Sequence, residues 1–263
     1  YFLTTQGIKK GDSVMLILRR RYEFWWFMLA LHRIGAIAVP ATDQLLEKDI
    51  EYRTNAAEIK MIVSFDSPAL LAEIEKAMPN SKTVEKLVTV GAEREGWVHF
   101  HSEVQKYAPE FPRPQGDLAT HNEDPMLMYF TSGTSGYPKM VLHNFLYPLG
   151  HIITAKYWQC VVDDGLHLTV AETGWAKATW GKLYGQWIAG TAIFVYDMLS
   201  FKPDRMLQKI AQYKITTFCA PPTVYRYLVR QDLSKYDFSS LVHCTTAGEA
   251  LNPEVYKQIQ SLL

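Results

Sequence analysis

Cysteine is scarce in this chain: Cys160, Cys219 and Cys244 are the only three, and their spacing matches neither a paired nor a metal-ligand pattern. An odd, sparse set excludes a disulfide-built scaffold and points to reduced thiols. A dominant charge is missing too. The 27 basic and 27 acidic side chains cancel, which removes the electrostatic case for nucleic acid or an anionic membrane surface as partner. No hydrophobic run is long. The longest, Phe24 to Leu31, is interrupted by His32-Arg33, far short of the ~20 residues that span a bilayer. It reads instead as a buried helix ended by Gly35. Internal repeats and low-complexity tracts are also absent, and sequence order supports no Ser-His-Asp or paired-carboxylate arrangement.

What is present is ordinary in amount, 48% hydrophobic and 21% charged, and informative in order. Short apolar runs alternate with helical patterns, the signature of parallel α/β layers. Strands are expected at 14–18, 36–39, 61–65, 86–90, 126–130, 166–170, 192–196, 216–220 and 241–245. Helices fit between them at 22–34, 46–56, 68–77, 203–213 and 223–230. In the helix from Pro203, residues Met206, Leu207, Ile210 and Tyr213 fall on one face. A proline-rich stretch from Pro109 to Pro125 reads as a loop. Asn252 and Pro253 read as the N-cap and first residue of a last helix.

The segment Tyr129-Phe130-Thr131-Ser132-Gly133-Thr134-Ser135-Gly136-Tyr137-Pro138-Lys139 follows one of these strands. Glycines let a backbone approach a phosphate closely, and successive N–H groups in such a turn form an anion-binding concavity. Thr131, Ser132, Thr134 and Ser135 add hydroxyl donors, and Lys139 adds a mobile positive charge. The inventory suits a nucleoside triphosphate. It is not the Walker pattern, which needs four residues between its glycines and Lys-Ser/Thr directly after the second. A Ser/Thr/Gly-rich surface turn would have the same composition.

The string itself resembles the phosphate loop of the adenylate-forming (AMP-binding) superfamily of acyl-CoA synthetases, aryl-CoA ligases, luciferases and peptide-synthetase adenylation domains. Most of those loops carry glycine after the lysine; Met140 stands here, as in the medium-chain acyl-CoA synthetases. Gly11-Asp12-Ser13-Val14, Gly35-Ala36 with Pro40, and Ile50-Glu51-Tyr52-Arg53 look like further landmarks. The resemblance implies an α/β fold of two stacked subdomains with mostly parallel sheets. One would comprise 41–148, ending in the phosphate loop, and the other 1–40 plus 149–263. It also implies ATP-dependent activation of a carboxylic, in particular fatty, acid to an acyl-adenylate, then thioester formation with coenzyme A. ATP, Mg²⁺ and coenzyme A are the cofactors and co-substrates expected, in the cytoplasm or another reducing compartment such as the mitochondrial matrix.

Residue by residue, the resemblance assigns Thr131, Ser132, Gly133, Thr134, Ser135, Gly136 and Lys139 to the triphosphate. Thr246-Ala247-Gly248-Glu249-Ala250 resembles the adenine-side segment, which would place Gly248, Glu249 and Ala250 beside the base. Open α/β sheets bind ligands at such strand ends, though a plain strand-to-helix connection would read the same. Trp175, in Glu172-Thr173-Gly174-Trp175, matches an aromatic lining the acyl site of medium-chain members. Gly181 and Gly185 would leave room for an acyl chain among Trp180, Tyr184 and Trp187. The remaining family parts, including a mobile C-terminal domain as intramolecular partner, would lie beyond Leu263. The chain reads as an N-terminal piece of a longer enzyme, inactive alone. Alternatives are a short-chain or aromatic acid-CoA ligase, or a nucleotide-binding module that has lost catalysis. His99 and His101, two apart, would share one face of a strand, without a completing metal ligand.

Overall fold

The computed structural model describes residues 1–132 and 136–261. They divide into two units: Tyr1–Tyr147 with Thr173–Ala176, and Pro148–Glu172 with Lys177 onward. Each unit is built around one sheet. The first unit contains β1 (Ser13–Ile17), β2 (Ile37–Pro40), β3 (Ile59–Phe65), β4 (Lys86–Val90), β5 (Val98–His99), β6 (Pro125–Thr131) and β7 (Lys139–Asn144). Their order is β5-β4-β3-β1-β2-β6-β7, parallel throughout except for the antiparallel β6–β7 pair. The second unit has β8 (Leu166–Thr169), β9 (Ala192–Ile193), β10 (Thr217–Ala220) and β11 (His243–Thr246), in the all-parallel order β11-β10-β8-β9.

Strand pairing corrects the expected division of the chain. Residues 1–40 group with 41–147, not with 149–263, because β1 and β2 are interior strands of the first sheet. Val14 lies opposite Met61 on one side and Ala38 on the other, and Ala38 in turn faces Leu127. Every residue of β1 is buried, as expected for a strand covered on both faces. A short apolar run carries no label for its neighbours, so the partner choice was not legible in sequence.

Helix Glu23–Ile34 shows how the pattern specifies the packing. Phe24, Phe27, Met28, Leu31 and Ile34 are buried at spacings of three and four. Gly35 ends the helix at φ 73°, where its amide reaches His32 O and Ala36 N reaches Leu31 O, a left-handed cap. In helix Pro203–Gln212, Met206, Leu207 and Ile210 are buried as expected. Tyr213 falls past the helix end, 46% exposed, with its ring 4.8 Å from Phe194. Asn252 caps helix Pro253–Gln260, its side-chain oxygen accepting from Glu254 N at 2.8 Å.

Two expectations about glycines and histidines change. Gly181 and Gly185 do not hold space open. A β-carbon on Gly185 would lie 2.1 Å from His151 O, and one on Gly181 would lie 3.3 Å from Thr169 Cγ2. Both permit close packing of helices Ala176–Lys182 and Tyr184–Ile188 in the second unit. His99 ends β5 while His101 is in helix Phe100–Val104, so they do not share a strand face. His99 pairs with Ser102 Oγ and Gly91 O, and His101 with the buried Glu23 carboxylate at 3.1 Å. No metal-holding cluster of His, Cys, Asp or Glu occurs among the described residues.

Beneath the second sheet lies a buried polar network. His167 Nδ1 meets Thr217 Oγ1 at 2.7 Å, and Nε2 meets Thr169 Oγ1 at 2.7 Å and Gly181 O at 3.1 Å. Thr169 donates to Gly181 O, so the consistent tautomer has Nε2–H donating and Nδ1 accepting. Burial lowers the His167 pKa to about 4.

Two outcomes follow from this packing. Gly185→Ala should destabilise the second unit by about 1–3 kcal/mol, the range for overpacking; an unchanged urea midpoint would contradict the close approach. The unfolded imidazole titrates near 6.5, above the folded value, so the unfolded state takes up the proton first as pH falls. Stability from a neutral His167 is complete above about pH 7 and is lost toward pH 4, about 2 kcal/mol of it by pH 5. His167→Gln should lessen the dependence of the urea midpoint on pH across that window; the buried His32, whose pKa burial lowers to about 3, contributes to what remains.

Candidate functional site

The loop singled out in sequence is the tip of the β6–β7 hairpin. Thr131 and Lys139 stand directly opposite one another in the ladder, at its mouth. Ser132 is the last described residue before the tip, and Gly133, Thr134 and Ser135 lie outside the described residues. Gly136 has φ +96°, and among the described residues no atom comes within 4 Å of where its β-carbon would be. Backbone conformation, not crowding, therefore demands glycine here. The space over that peptide is open to a ligand.

Ser132 and Lys139 are exposed, and Lys139 pairs with no carboxylate among the described residues. Helix Glu47–Ala56 lies on one flank of the loop. Tyr52 donates its hydroxyl to Pro138 O at 3.0 Å, and its ring stacks on Tyr137 at 4.8 Å. Between that helix and Gly136–Pro138 is an open cleft of about 820 Å³. His143, further along β7, packs its ring 4.2 Å from Tyr147, and burial lowers its pKa.

Trp175 also belongs to the first unit, at the N-terminal side of helix Ala176–Lys182, and is 63% exposed. The preceding turn is fixed by contact. Thr173 Oγ1 donates to Arg19 O, and a β-carbon on Gly174 would meet Thr42 N at 2.3 Å. The indole is thus presented outward on an anchored turn.

Gly248, Glu249 and Ala250 lie in the second unit, all exposed, just after β11. Gly248 repeats the geometry of Gly136: φ +112°, with nothing near its missing β-carbon. Glu249 is not a free carboxylate. Thr223 Oγ1 donates to its Oε1 at 2.6 Å, and Arg226 Nη2 reaches its Oε2 at 3.1 Å. The Thr223 hydrogen bond first, then Arg226, holds its pKa below the usual carboxylate range. Glu249 therefore latches the loop to helix Pro222–Leu228, leaving the exposed backbone of 248–250 facing solvent. That helix starts at Pro222, with Pro221 in extended conformation as its N-cap.

Sequence reasoning placed these segments at strand ends but missed their braces. The signal for β7 was available: a Ser/Thr/Gly cluster between two apolar runs is a hairpin signature. Nothing in local spacing pairs Tyr52 with Pro138 or Glu249 with Arg226, which are 86 and 23 residues apart.

Comparison with known proteins bears on this arrangement. A family model described as AMP-binding enzyme matches residues 1–263. The chain is 39% identical over 254 residues to acyl-coenzyme A synthetase ACSM4, mitochondrial, of Rattus norvegicus, covering 96% of this chain and 43% of that protein. It is 37% identical over 251 residues to acyl-coenzyme A synthetase ACSM5, mitochondrial, of Homo sapiens, covering 95% of this chain and 42% of that one. The chain thus spans less than half the length of these curated relatives. The fold matches the anthranilate CoA ligase AuaEII, solved with anthranoyl-AMP, at a TM-score of 0.88 and 23% identity over 99% of this chain and 49% of that one. It also matches the Brucella canis acyl-CoA synthetase at 0.85 and 24%, over 99% and 47%. With the whole length matched by one family model, the chain belongs to the AMP-binding enzyme family.

Proposed function

We propose that the whole protein is an acid-thiol ligase that activates a fatty acid of medium length with ATP. A carboxylate oxygen attacks the α-phosphorus, the bond to the bridging oxygen breaks, and pyrophosphate leaves with its electron pair. The thiol of coenzyme A then displaces AMP from the acyl-adenylate and loses its proton, leaving a thioester. Phosphoryl chemistry of this kind needs mainly positioning and charge neutralisation. The observation that carries the reading is the hairpin tip: hydroxyls of Thr131 and Ser132, the open peptide at Gly136, and the uncommitted ammonium of Lys139.

In this reading Thr131, Ser132, Gly133, Thr134, Ser135, Gly136 and Lys139 cradle the β- and γ-phosphates. Gly248, Glu249 and Ala250 border the adenine, with Glu249 holding the loop and backbone groups facing the base. Trp175 is a wall of the acyl site. Mg²⁺ fits this hydroxyl-rich turn as a passenger on the triphosphate, since no side-chain cluster among the described residues could hold it alone. When bound it would offset phosphate charge. The three cysteines are free, which supports a reducing compartment, and both relatives above are named mitochondrial. No helix among the described residues is long and apolar enough to cross a membrane.

Two substitutions in the whole protein test the assignments. Lys139→Ala should slow acyl-adenylate formation at least ten-fold, and up to the 10²–10³ typical of one lost electrostatic stabiliser; single-turnover formation at the wild-type rate would remove Lys139 from the site. Trp175→Ala should change relative kcat/KM between acids of different chain length by about ten-fold, the scale of one methylene of pocket contact. KM for ATP should stay as in the wild type. Equal effects on all acids would dissociate Trp175 from the acyl site.

A further inference from the structure

The hairpin tip is held from outside its own strands. Helix Glu47–Ala56 places two consecutive residues against it, one on each arm. Arg53 sets its guanidinium 4.9 Å from the Phe130 ring centre, one residue before Thr131. Tyr52 takes the other arm, with its hydroxyl on Pro138 O at 3.0 Å and its ring stacked on Tyr137 at 4.8 Å, one and two residues before Lys139. A second ring contact links Tyr52 to Phe130 at 6.2 Å. The helix is seated independently of the loop: Ile50 and Thr54 are buried, and Thr54 Oγ1 donates to Ser81 Oγ at 2.9 Å.

Arg53 has no ion pair among the described residues, and its buried Nε finds no hydrogen-bond partner. Burial lowers its pKa from the arginine value. A half-buried guanidinium outside any ion pair is unusual, because buried charge is ordinarily paired; Asp49 on the same helix acts on it through space only. The aromatic face of Phe130 is in direct reach, and Arg suits such a face through both charge and planarity.

We propose that Tyr52 and Arg53 are positioning residues that fix the phosphate-binding turn from the Glu47–Ala56 helix, so that Lys139 and the Gly136 peptide stand ready before nucleotide arrives. An external clamp on each arm removes conformational freedom that nucleotide binding would otherwise have to remove. The inference rests on the proposed nucleotide role of the loop, and adds which residues outside the loop set its geometry.

The test uses the whole protein with Tyr52→Phe, which keeps the ring and removes the hydroxyl, Tyr52→Ala, and Arg53→Gln with Arg53→Lys as the charge-keeping rescue. Acid-dependent ATP–pyrophosphate exchange gives kcat and KM, and amide hydrogen exchange is followed across 136–141 and across β3 as an internal reference. Tyr52→Phe should lower kcat/KM for ATP about five- to ten-fold, the scale of one net hydrogen bond, and Tyr52→Ala should lower it further. KM for the acid should not move, and Tm should match the wild type for Tyr52→Phe. Amides at 136–141 should exchange faster while β3 stays protected. Arg53→Lys should recover part of what Arg53→Gln loses.

Wild-type kinetics with unaltered protection at 136–141 would overturn the clamp. So would equal losses for ATP and acid alongside a lowered Tm, which mark general destabilisation. If the wild type itself shows no exchange reaction, the ligase reading fails; faster amide exchange at 136–141 in Tyr52→Phe would then still support the clamp on its own.

Discussion

The antiparallel turn at the edge of a parallel sheet is the constraint on which the rest of the first unit's chemistry depends. Six strands run in parallel order, and β6 meets β2 at Ala38–Leu127 before folding back on β7. A parallel strand would have to cross over through a long connection, whereas an antiparallel one returns within a few residues. That return brings Thr131 and Lys139 face to face across the ladder. Hydroxyls, open peptides and a lysine thus come together at one rim, with the sheet core fixing the base of both arms.

Glycine serves two opposite ends in this chain. At Gly136 and Gly248 the backbone is left-handed and no atom of the described residues stands near the missing β-carbon, so glycine leaves an accessible peptide. At Gly174 and Gly185 the missing β-carbon lets backbones approach closely: one built there would fall 2.3 Å from Thr42 N or 2.1 Å from His151 O. The first pair falls in the segments proposed to meet nucleotide, and the second anchors the elements around them. A glycine count alone cannot separate these uses.

Much of the architecture was legible in the sequence. Continuous apolar runs marked strands buried on both faces, and three-four spacing marked helices such as Glu23–Ile34, ended by Gly35. The caps at Gly35 and Asn252 were readable because those residue types satisfy orphan backbone groups. Long-range pairing was not. The sheet membership of β1 and β2, the Glu249 latch to Thr223 and Arg226, and the grip of Tyr52 on Pro138 depend on contacts between segments with no shared local pattern. β7 was not among the expected strands: Met140, Val141 and Leu142 are exposed in succession and show no alternation, so only the Ser/Thr/Gly cluster between two apolar runs signalled it.

The central claim is that this hairpin serves an adenylating enzyme. Its most direct test is carboxylate-dependent ATP–pyrophosphate exchange by the whole protein, across acids from acetate to dodecanoate plus benzoate. Exchange is expected with a subset of acids centred on medium chain lengths. No exchange with any acid, from folded protein that still binds ATP, would contradict the claim and leave a nucleotide-binding module in its place.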